Sequence, residues 1–417
     1  MSTLLRTRGW LHPAILAAAG LSVASGFASF GVTVALGDVA AAFGEPQPAG
    51  SVADMAGLTG TTLGAGLAFI RLASLAALPL AGLADRAGRR RVILWCCGTG
   101  LLMTLATAAS PSFWWFVALF ALARPLLSAT NALATVIAAE ETRSSDRSKA
   151  IALITAGYAL GAGLTALVRT VIPPAYGFRG LFAMAALPLL FVPLLGRWLD
   201  EPSRFAGLRA RAPSSRPRLG AVRRDLRGRL ALLFLLHVGF GFVTGPVNTN
   251  LFLYGERILG MTSATMAWLF VAAAPTGLLG LVIGRWAADR FGRRLSAGVA
   301  MALTAAAGVL TYSGEPAGVA LGYVGGIGAA AAYAPAAGAL DAELFPTSQR
   351  GTAAGWVAAA NIVGAVLGLL AFGILVDAYD AFGPAALTIS VPVVLIAALY
   401  HRLPETRGLE LEESAPE

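Results

Sequence analysis

The segment Asp85-Arg86-Ala87-Gly88-Arg89-Arg90 returns 204 residues later as Asp289-Arg290-Phe291-Gly292-Arg293-Arg294. A second pattern repeats at an offset of 203 residues: Glu140 and Glu343 each follow an alanine, and each precedes an arginine by seven residues, Arg147 and Arg350 respectively. Two independent motifs at nearly the same offset indicate a duplicated unit of about half the chain.

The composition indicates that the repeated unit is surrounded by lipid. Of the 417 residues 57% are apolar and only 13% are charged, and the mean hydropathy is +0.72. These values exclude a disordered chain, a secreted disulfide scaffold and an ordinary soluble enzyme.

A membrane-spanning helix needs about 20 mostly apolar residues. Twelve runs meet this need, at 13–37, 56–83, 92–110, 113–138, 150–171, 180–197, 230–254, 265–287, 295–312, 317–340, 352–375 and 383–401. The sequence therefore predicts an all-α membrane protein with twelve transmembrane helices in two pseudo-symmetric six-helix bundles. The predicted parts are an N-terminal bundle at 1–199, a cytoplasmic linker at 200–228 and a C-terminal bundle at 229–417.

The cations predict the orientation. A net charge of +9 would suggest nucleic acid in a soluble protein, but here the arginines lie in short segments between apolar runs. With the N-terminus in the cytoplasm, 26 of the 31 Lys and Arg residues fall on the inside and three on the outside. We therefore expect a multi-pass protein of the inner (cytoplasmic) membrane, surrounded by lipid, with both termini cytoplasmic and no nucleic-acid partner.

The doubled motif resembles the signature of the major facilitator superfamily of secondary transporters, and the resemblance covers almost the whole chain. Three more segments resemble sugar porters and their organic-ion and metabolite-symporter relatives, and these are Glu201-Pro202-Ser203-Arg204-Phe205, Phe345-Pro346-Thr347-Ser348-Gln349-Arg350-Gly351 and Pro404-Glu405-Thr406-Arg407-Gly408. The resemblance implies the major facilitator fold and transport by alternating access.

Within the family, two substrate classes are disfavoured. Sugar porters hold hydroxyl groups with buried Gln and Asn, whereas no run in this chain contains Gln. Drug/proton antiporters usually carry a Gly-Pro pair in a glycine-rich fifth helix, and the fifth run here has glycines but no proline.

An anionic substrate is suggested by two arginines, Arg71 and Arg124, which lie near the middle of the second and fourth runs. Each costs about 2.5–3.5 kcal/mol at a helix centre on insertion scales. No Asp or Glu lies at a comparable depth, and four acids at run ends are too peripheral to be obvious partners: Asp38, Glu256, Asp341 and Asp377. The guanidinium fork suits a carboxylate or phosphate. The alternative is structural, with either arginine bonded to helix carbonyls.

Other polar residues fall on consistent helix faces and describe one amphiphilic cavity. The predicted substrate-binding residues are Arg71, Arg124, Ser128, Asn131, Tyr158, His237, Thr244, Asn248, Tyr333 and Asn361. Each of them alone is more often a helix–helix hydrogen bond than a ligand contact. His237 is the only histidine within a run, so it is a candidate for the coupling proton; a satisfied hydrogen bond is its alternative role.

The repeated motifs predict a gate on the cytoplasmic face. Its residues are Asp85, Arg86, Gly88, Arg89, Arg90, Glu140 and Arg147, with the second copies Asp289, Arg290, Gly292, Arg293, Arg294, Glu343 and Arg350. The arginines alone would serve to set topology, but topology requires no Asp and Gly at fixed offsets in both halves.

The leading hypothesis is a proton-coupled transporter of a small organic anion such as a carboxylate. An efflux antiporter for drugs or amphiphiles is the alternative within transport, and a membrane receptor or enzyme is the distant one. The sequence holds no metal-ligand cluster, phosphate loop or Ser-His-Asp set. We therefore expect no enzymatic activity, cofactor or metal, and a monomer whose partners are a small-molecule substrate, protons and lipid.

Overall fold

The computed structural model describes residues 9–143, 146–199 and 223–408, apart from the side chains of Asp85, Arg86, Thr347 and Ser348. These parts of the chain are helical and contain no β-strand. Most of the predicted linker at 200–228, and the segment Glu201-Pro202-Ser203-Arg204-Phe205 within it, lie outside the described residues.

Within the described residues, twelve long helices confirm the predicted fold class. The first six are α1 Pro13–Ala42, α2 Gly60–Ala84, α3 Arg89–Thr107, α4 Phe113–Glu141, α5 Arg147–Val171 and α6 Pro174–Trp198. The second six are α7 Arg227–Thr249, α8 Ser263–Phe291, α9 Arg293–Thr311, α10 Pro316–Glu343, α11 Thr347–Tyr379 and α12 Phe382–Arg402. Eleven are long and apolar enough to cross a membrane; α3 falls short because three arginines open it.

Local sequence signals set many of the helix ends. A side-chain oxygen caps α4, where Ser112 Oγ accepts from Trp115 N at 3.4 Å, and another caps α8, where Thr262 Oγ1 accepts from Thr265 N at 3.1 Å. Gly88 ends the helical stretch that begins with α2, and Gly292 ends α8; both have φ of 100°, which residues with a Cβ rarely adopt. The same turn at equivalent places supports the duplication.

The chain packs as two units. The first holds residues 9–43 and 69–199, and the second holds Gly44–Ala68 with 223–408. The division therefore falls inside α2, whose first residues pack with the later helices. The bundle boundaries at 1–199 and 229–417 remain a prediction, because the proposed linker between them is mostly undescribed.

Glycines bring one equivalent helix pair together in each unit. In the first, a Cβ on Gly161 of α5 would overlap the carbonyl oxygen of Val23 on α1. In the second, a Cβ on Gly364 of α11 would overlap that of Val238 on α7. Only glycine allows backbones to approach this closely, a common device where lipid gives no hydrophobic drive for helix packing.

Candidate functional site

The first unit gathers the two central arginines. Arg71 of α2 lies within electrostatic range of Arg124 of α4 and of the Tyr158 phenol on α5. Arg124 Nη1 donates to the Ser29 carbonyl oxygen of α1 at 3.3 Å, and Phe30 meets Tyr158 edge-on at 6.0 Å. Both arginines are half-buried. Among the side chains that the structure describes, neither forms an ion pair with an acid.

Two further predicted site residues follow Arg124 along α4. Ser128, one turn away, is half-buried. Asn131 is engaged in packing, because its Oδ1 accepts from the hydroxyl of Ser22 on α1. The Ser22 oxygen also lies 3.1 Å from the carbonyl oxygen of Ile154 on α5. The Asn131 side chain therefore helps to join three helices, through a partner 109 residues away.

In the second unit, polar groups of α7 bond largely within their own helix. Thr244 Oγ1 donates to the Phe240 carbonyl at 2.9 Å, and Asn248 Nδ2 donates to the Thr244 carbonyl at 2.9 Å. Both residues line a cavity of about 20 Å³ beside Tyr323 of α10, which is room for a single water. Asn361 is half-buried on α11.

His237 of α7 has a partner that the sequence pattern did not suggest. Its Nε2 lies 3.3 Å from Asp341 Oδ2, and the two side chains are 8% and 18% exposed. The apolar run ends at residue 340, but α10 continues to Glu343 and carries Asp341 on the face of Tyr333, eight residues earlier. The Tyr333 hydroxyl is 2.7 Å from that of Tyr400 at the end of α12.

The repeated motifs form equivalent ion pairs. Arg89 of α3 pairs closely with Glu140 of α4, and Arg293 of α9 pairs closely with Glu343 of α10. Each pair joins two helices of one unit. The duplication of the motif therefore extends to its contacts.

Three further motif residues, Arg90, Arg294 and Arg350, each donate to a backbone carbonyl oxygen. Arg90 Nη2 donates to the Gly196 carbonyl at 2.9 Å, and Arg350 Nε donates to the Ala342 carbonyl at 2.7 Å. Glu405, in the segment after α12, accepts from Arg293 N at 2.9 Å and from Arg294 N at 3.4 Å. It thus caps the start of α9, where a carboxylate interacts favourably with the helix dipole.

A second carboxylate caps the start of α2. Asp377 Oδ1 and Oδ2 of α11 accept from Gly60 N at 2.6 Å and from Thr61 N at 2.7 Å. A Cβ on Gly64 would overlap the carbonyl oxygen of Leu369, so the two helices are in backbone contact there. Asp377 stands at a run end, and no local signal connects it with residues more than 300 positions away.

Comparisons with known proteins agree with this fold. The family model described as "Major Facilitator Superfamily" matches residues 16–274 and 256–416. The chain is 27% identical over 311 residues to the cis,cis-muconate transport protein of Acinetobacter baylyi, covering 70% of this chain and 72% of that protein. It is 31% identical over 173 residues to the gallate transporter of Pseudomonas putida, covering 41% and 37%.

A solved structure with the same fold is the xylose transporter XylE from E. coli in an inward-open conformation. The TM-score is 0.75 at 19% sequence identity, and the match covers 96% of this chain and 98% of the other. The family match covers well over half of the chain, and the twelve helices and the doubled Asp-Arg-x-Gly-Arg-Arg motif accord with it. The chain therefore belongs to the major facilitator superfamily of transporters.

Proposed function

We propose that this protein is a secondary transporter of a small organic anion, most simply a carboxylate, which it moves across the membrane by alternating access together with a proton. The observation that carries the proposal is the pair Arg71 and Arg124, which are half-buried, lie within electrostatic range of each other and have no acidic partner among the described side chains.

The physical argument is compensation. Two guanidinium groups in one unit repel each other, and burial strengthens the repulsion because the interior screens charge less than water does. An anion bound between them would relieve this cost and would use the forked geometry of both side chains. The names of the muconate and gallate relatives point to the same substrate class, since both compounds are carboxylates.

The test is the affinity of purified protein for gallate and muconate, measured with Arg→Lys and Arg→Gln variants at positions 71 and 124. Lysine keeps the charge but loses the fork, and charge-assisted hydrogen bonds contribute about 1.5–3 kcal/mol each. We therefore expect affinity to fall about tenfold or more for lysine and further for glutamine. Arg402→Gln, at an exposed position, is the matched control. Unchanged affinity in all four variants, or a preferred substrate that is cationic, would refute an anion site at these arginines.

The two Arg–Glu pairs support a gating role for the repeated motif. In the proposed mechanism, the motif residues close the cytoplasmic side of the pathway and release it during each cycle. Asp85→Asn removes one charge from the motif and none from the arginine cluster. We expect transport to fall much more than substrate affinity, with the Glu315→Gln variant as control. Normal transport by the Asp85→Asn variant would show that the motif sets membrane topology and has no gating role.

The charge bias supports an inner-membrane protein with both termini in the cytoplasm, and we propose that it acts as a monomer. Protease added to intact cells should not cut a cleavage site inserted at either terminus, and it should cut the site once the cells are opened. Light scattering of the purified protein should give the mass of one 42.7 kDa chain plus detergent. Cleavage in intact cells would refute the orientation, and twice this protein mass would refute the monomer.

A further inference from the structure

The hydrogen bonds of His237 determine how many protons it shares with Asp341. His237 Nδ1 lies 3.0 Å from the carbonyl oxygen of Leu233 in its own helix. A carbonyl oxygen only accepts, so Nδ1 must carry a hydrogen for this contact to be a hydrogen bond. The tautomer of the imidazole follows: in the neutral ring, Nε2 has a lone pair.

That lone pair faces Asp341 Oδ2 at 3.3 Å. An ionised carboxylate is also only an acceptor. Two acceptors at this distance repel each other, so the contact is favourable only when one more proton is present, on Nε2 or on Oδ2. The pair therefore holds one proton in either of two forms: imidazolium with carboxylate, or imidazole with carboxylic acid.

The surroundings limit other sources of compensation. Asp341 Oδ1 is buried and has no hydrogen-bond partner within the described part of the chain, and a bare buried carboxylate oxygen is costly. Glu343, two residues further along α10, pairs with Arg293 of α9, and Arg350 Nε donates to the carbonyl oxygen of Ala342 at 2.7 Å.

Besides Asp341, an aromatic ring packs on His237. Tyr333 of α10 meets the imidazole edge-on at 6.0 Å and is bonded to Tyr400 of α12. The neighbouring helix α11 packs on α7 through the Asn361 backbone at Gly241. Among the described contacts of His237, the titratable groups are Asp341 and Tyr333, and Tyr400 follows through its hydrogen bond to Tyr333.

We propose that His237 and Asp341 together form the site of the transported proton, held between Nε2 and Oδ2. This rests on the proton-coupled transport proposed above and adds the site and the stoichiometry. The site takes one proton from water on one side of the membrane and returns it on the other. Once it is lost, the facing acceptors repel, so the packing of α7 against α10 depends on the proton. For a monocarboxylate, one proton per substrate makes transport electroneutral.

The experiment compares two transport modes in proteoliposomes, with gallate as the probe. Counterflow exchanges labelled for unlabelled gallate at equal pH and needs no net proton movement. Net uptake driven by about one pH unit supports about tenfold accumulation at one proton per substrate. We expect Asp341→Asn to keep counterflow and to lose accumulation, and we expect His237→Gln to lose accumulation as well. His401→Gln and Asp225→Asn remove the same side chains from exposed positions and should behave as wild type.

The outcomes separate the two proposals. Wild-type protein that exchanges gallate without accumulating it against the pH gradient refutes proton coupling itself. Wild-type accumulation that persists in both variants refutes only the His–Asp site. Counterflow by Asp341→Asn also reports that this variant has folded.

A second measurement does not depend on transport. The chain has three histidines, so ¹⁵N labelling of histidine gives few ring signals, and the His237→Gln variant assigns one of them. We expect His237 to carry hydrogen on Nδ1, and Asp341→Asn to change the protonation of Nε2. A bare Nδ1 in the wild-type protein would overturn the proposal, as would a His237 signal unaffected by Asp341→Asn.

Discussion

The cap of α2 by Asp377 allows a quantitative test of what holds α2 against α11. The Asp377 carboxylate accepts from Gly60 N at 2.6 Å and from Thr61 N at 2.7 Å. Asp377→Asn keeps the size of the side chain but replaces one acceptor oxygen by an NH₂ group. That group would face a backbone N–H, so one hydrogen bond and the charge are lost together.

The magnitude follows from the geometry. Loss of a helix N-cap costs about 0.5–2 kcal/mol, and loss of a negative charge at a helix N-terminus costs about 0.3–1 kcal/mol. Asp377 is exposed, so solvent screens its charge and the low part of both ranges applies. We expect a total of about 1 kcal/mol, which makes transient opening of the contact about fivefold more frequent.

The assay is the labelling rate of a cysteine buried under this contact. Leu63 is 3% exposed, and Leu63→Cys in a protein without Cys96 and Cys97 gives one thiol that reacts with maleimide when the contact opens. Adding Asp377→Asn should raise the rate about fivefold, whereas adding Glu315→Gln, which removes another exposed acid, should not. Equal rates with and without Asp377→Asn would show that the carboxylate does not hold the helix.

Two further predictions concern stability within the first unit. Gly161→Ala places a methyl group on the carbonyl oxygen of Val23 and should destabilise the protein by about 1–3 kcal/mol. In the control variant Gly163→Ala the new methyl group meets open space, so this change should be neutral or stabilising. Equal thermal unfolding midpoints for the two variants in detergent would contradict the prediction. Arg169 Nη2 lies 2.6 Å from Asp38 Oδ2, with both side chains about 10% exposed, so Arg169→Gln or Asp38→Asn alone should cost about 3–5 kcal/mol. The double variant should cost less than the sum of the two, and simple additivity of the unfolding free energies would show that the two groups do not interact.

Much of the fold can be read from the sequence because helices in lipid are determined by apolar runs. The twelve runs fall on the twelve helices, and the doubled motif marks the turns at Gly88 and Gly292. The run ends are less exact. The tenth run stops at residue 340 because Asp341 is polar, although α10 reaches Glu343. Hydropathy detects lipid contact, whereas a helix continues as long as its backbone bonds are made.

The candidate site was predictable in part. Arg71 and Arg124 stand out because charges are rare in apolar runs, and the Arg–Glu pairs follow from repeated spacing. The partners of Asn131, His237 and Asp377 lie 109, 104 and more than 300 residues away. A single sequence carries no signal for such contacts, since they depend on which helix faces pack together.

The position of α2 in both units has a mechanical consequence. The helix begins in the second unit under the Asp377 cap, enters the first unit after Ala68, and leads to the Asp85 motif. The 3₁₀ turn at Ser74–Ala76 interrupts the α-helical hydrogen bonds six residues after that change of unit. Because 3₁₀ hydrogen bonds have poorer geometry than α-helical ones, such a turn often marks a hinge. A bend there would leave intact the Asp377 cap at one end and the Gly88 turn at the other.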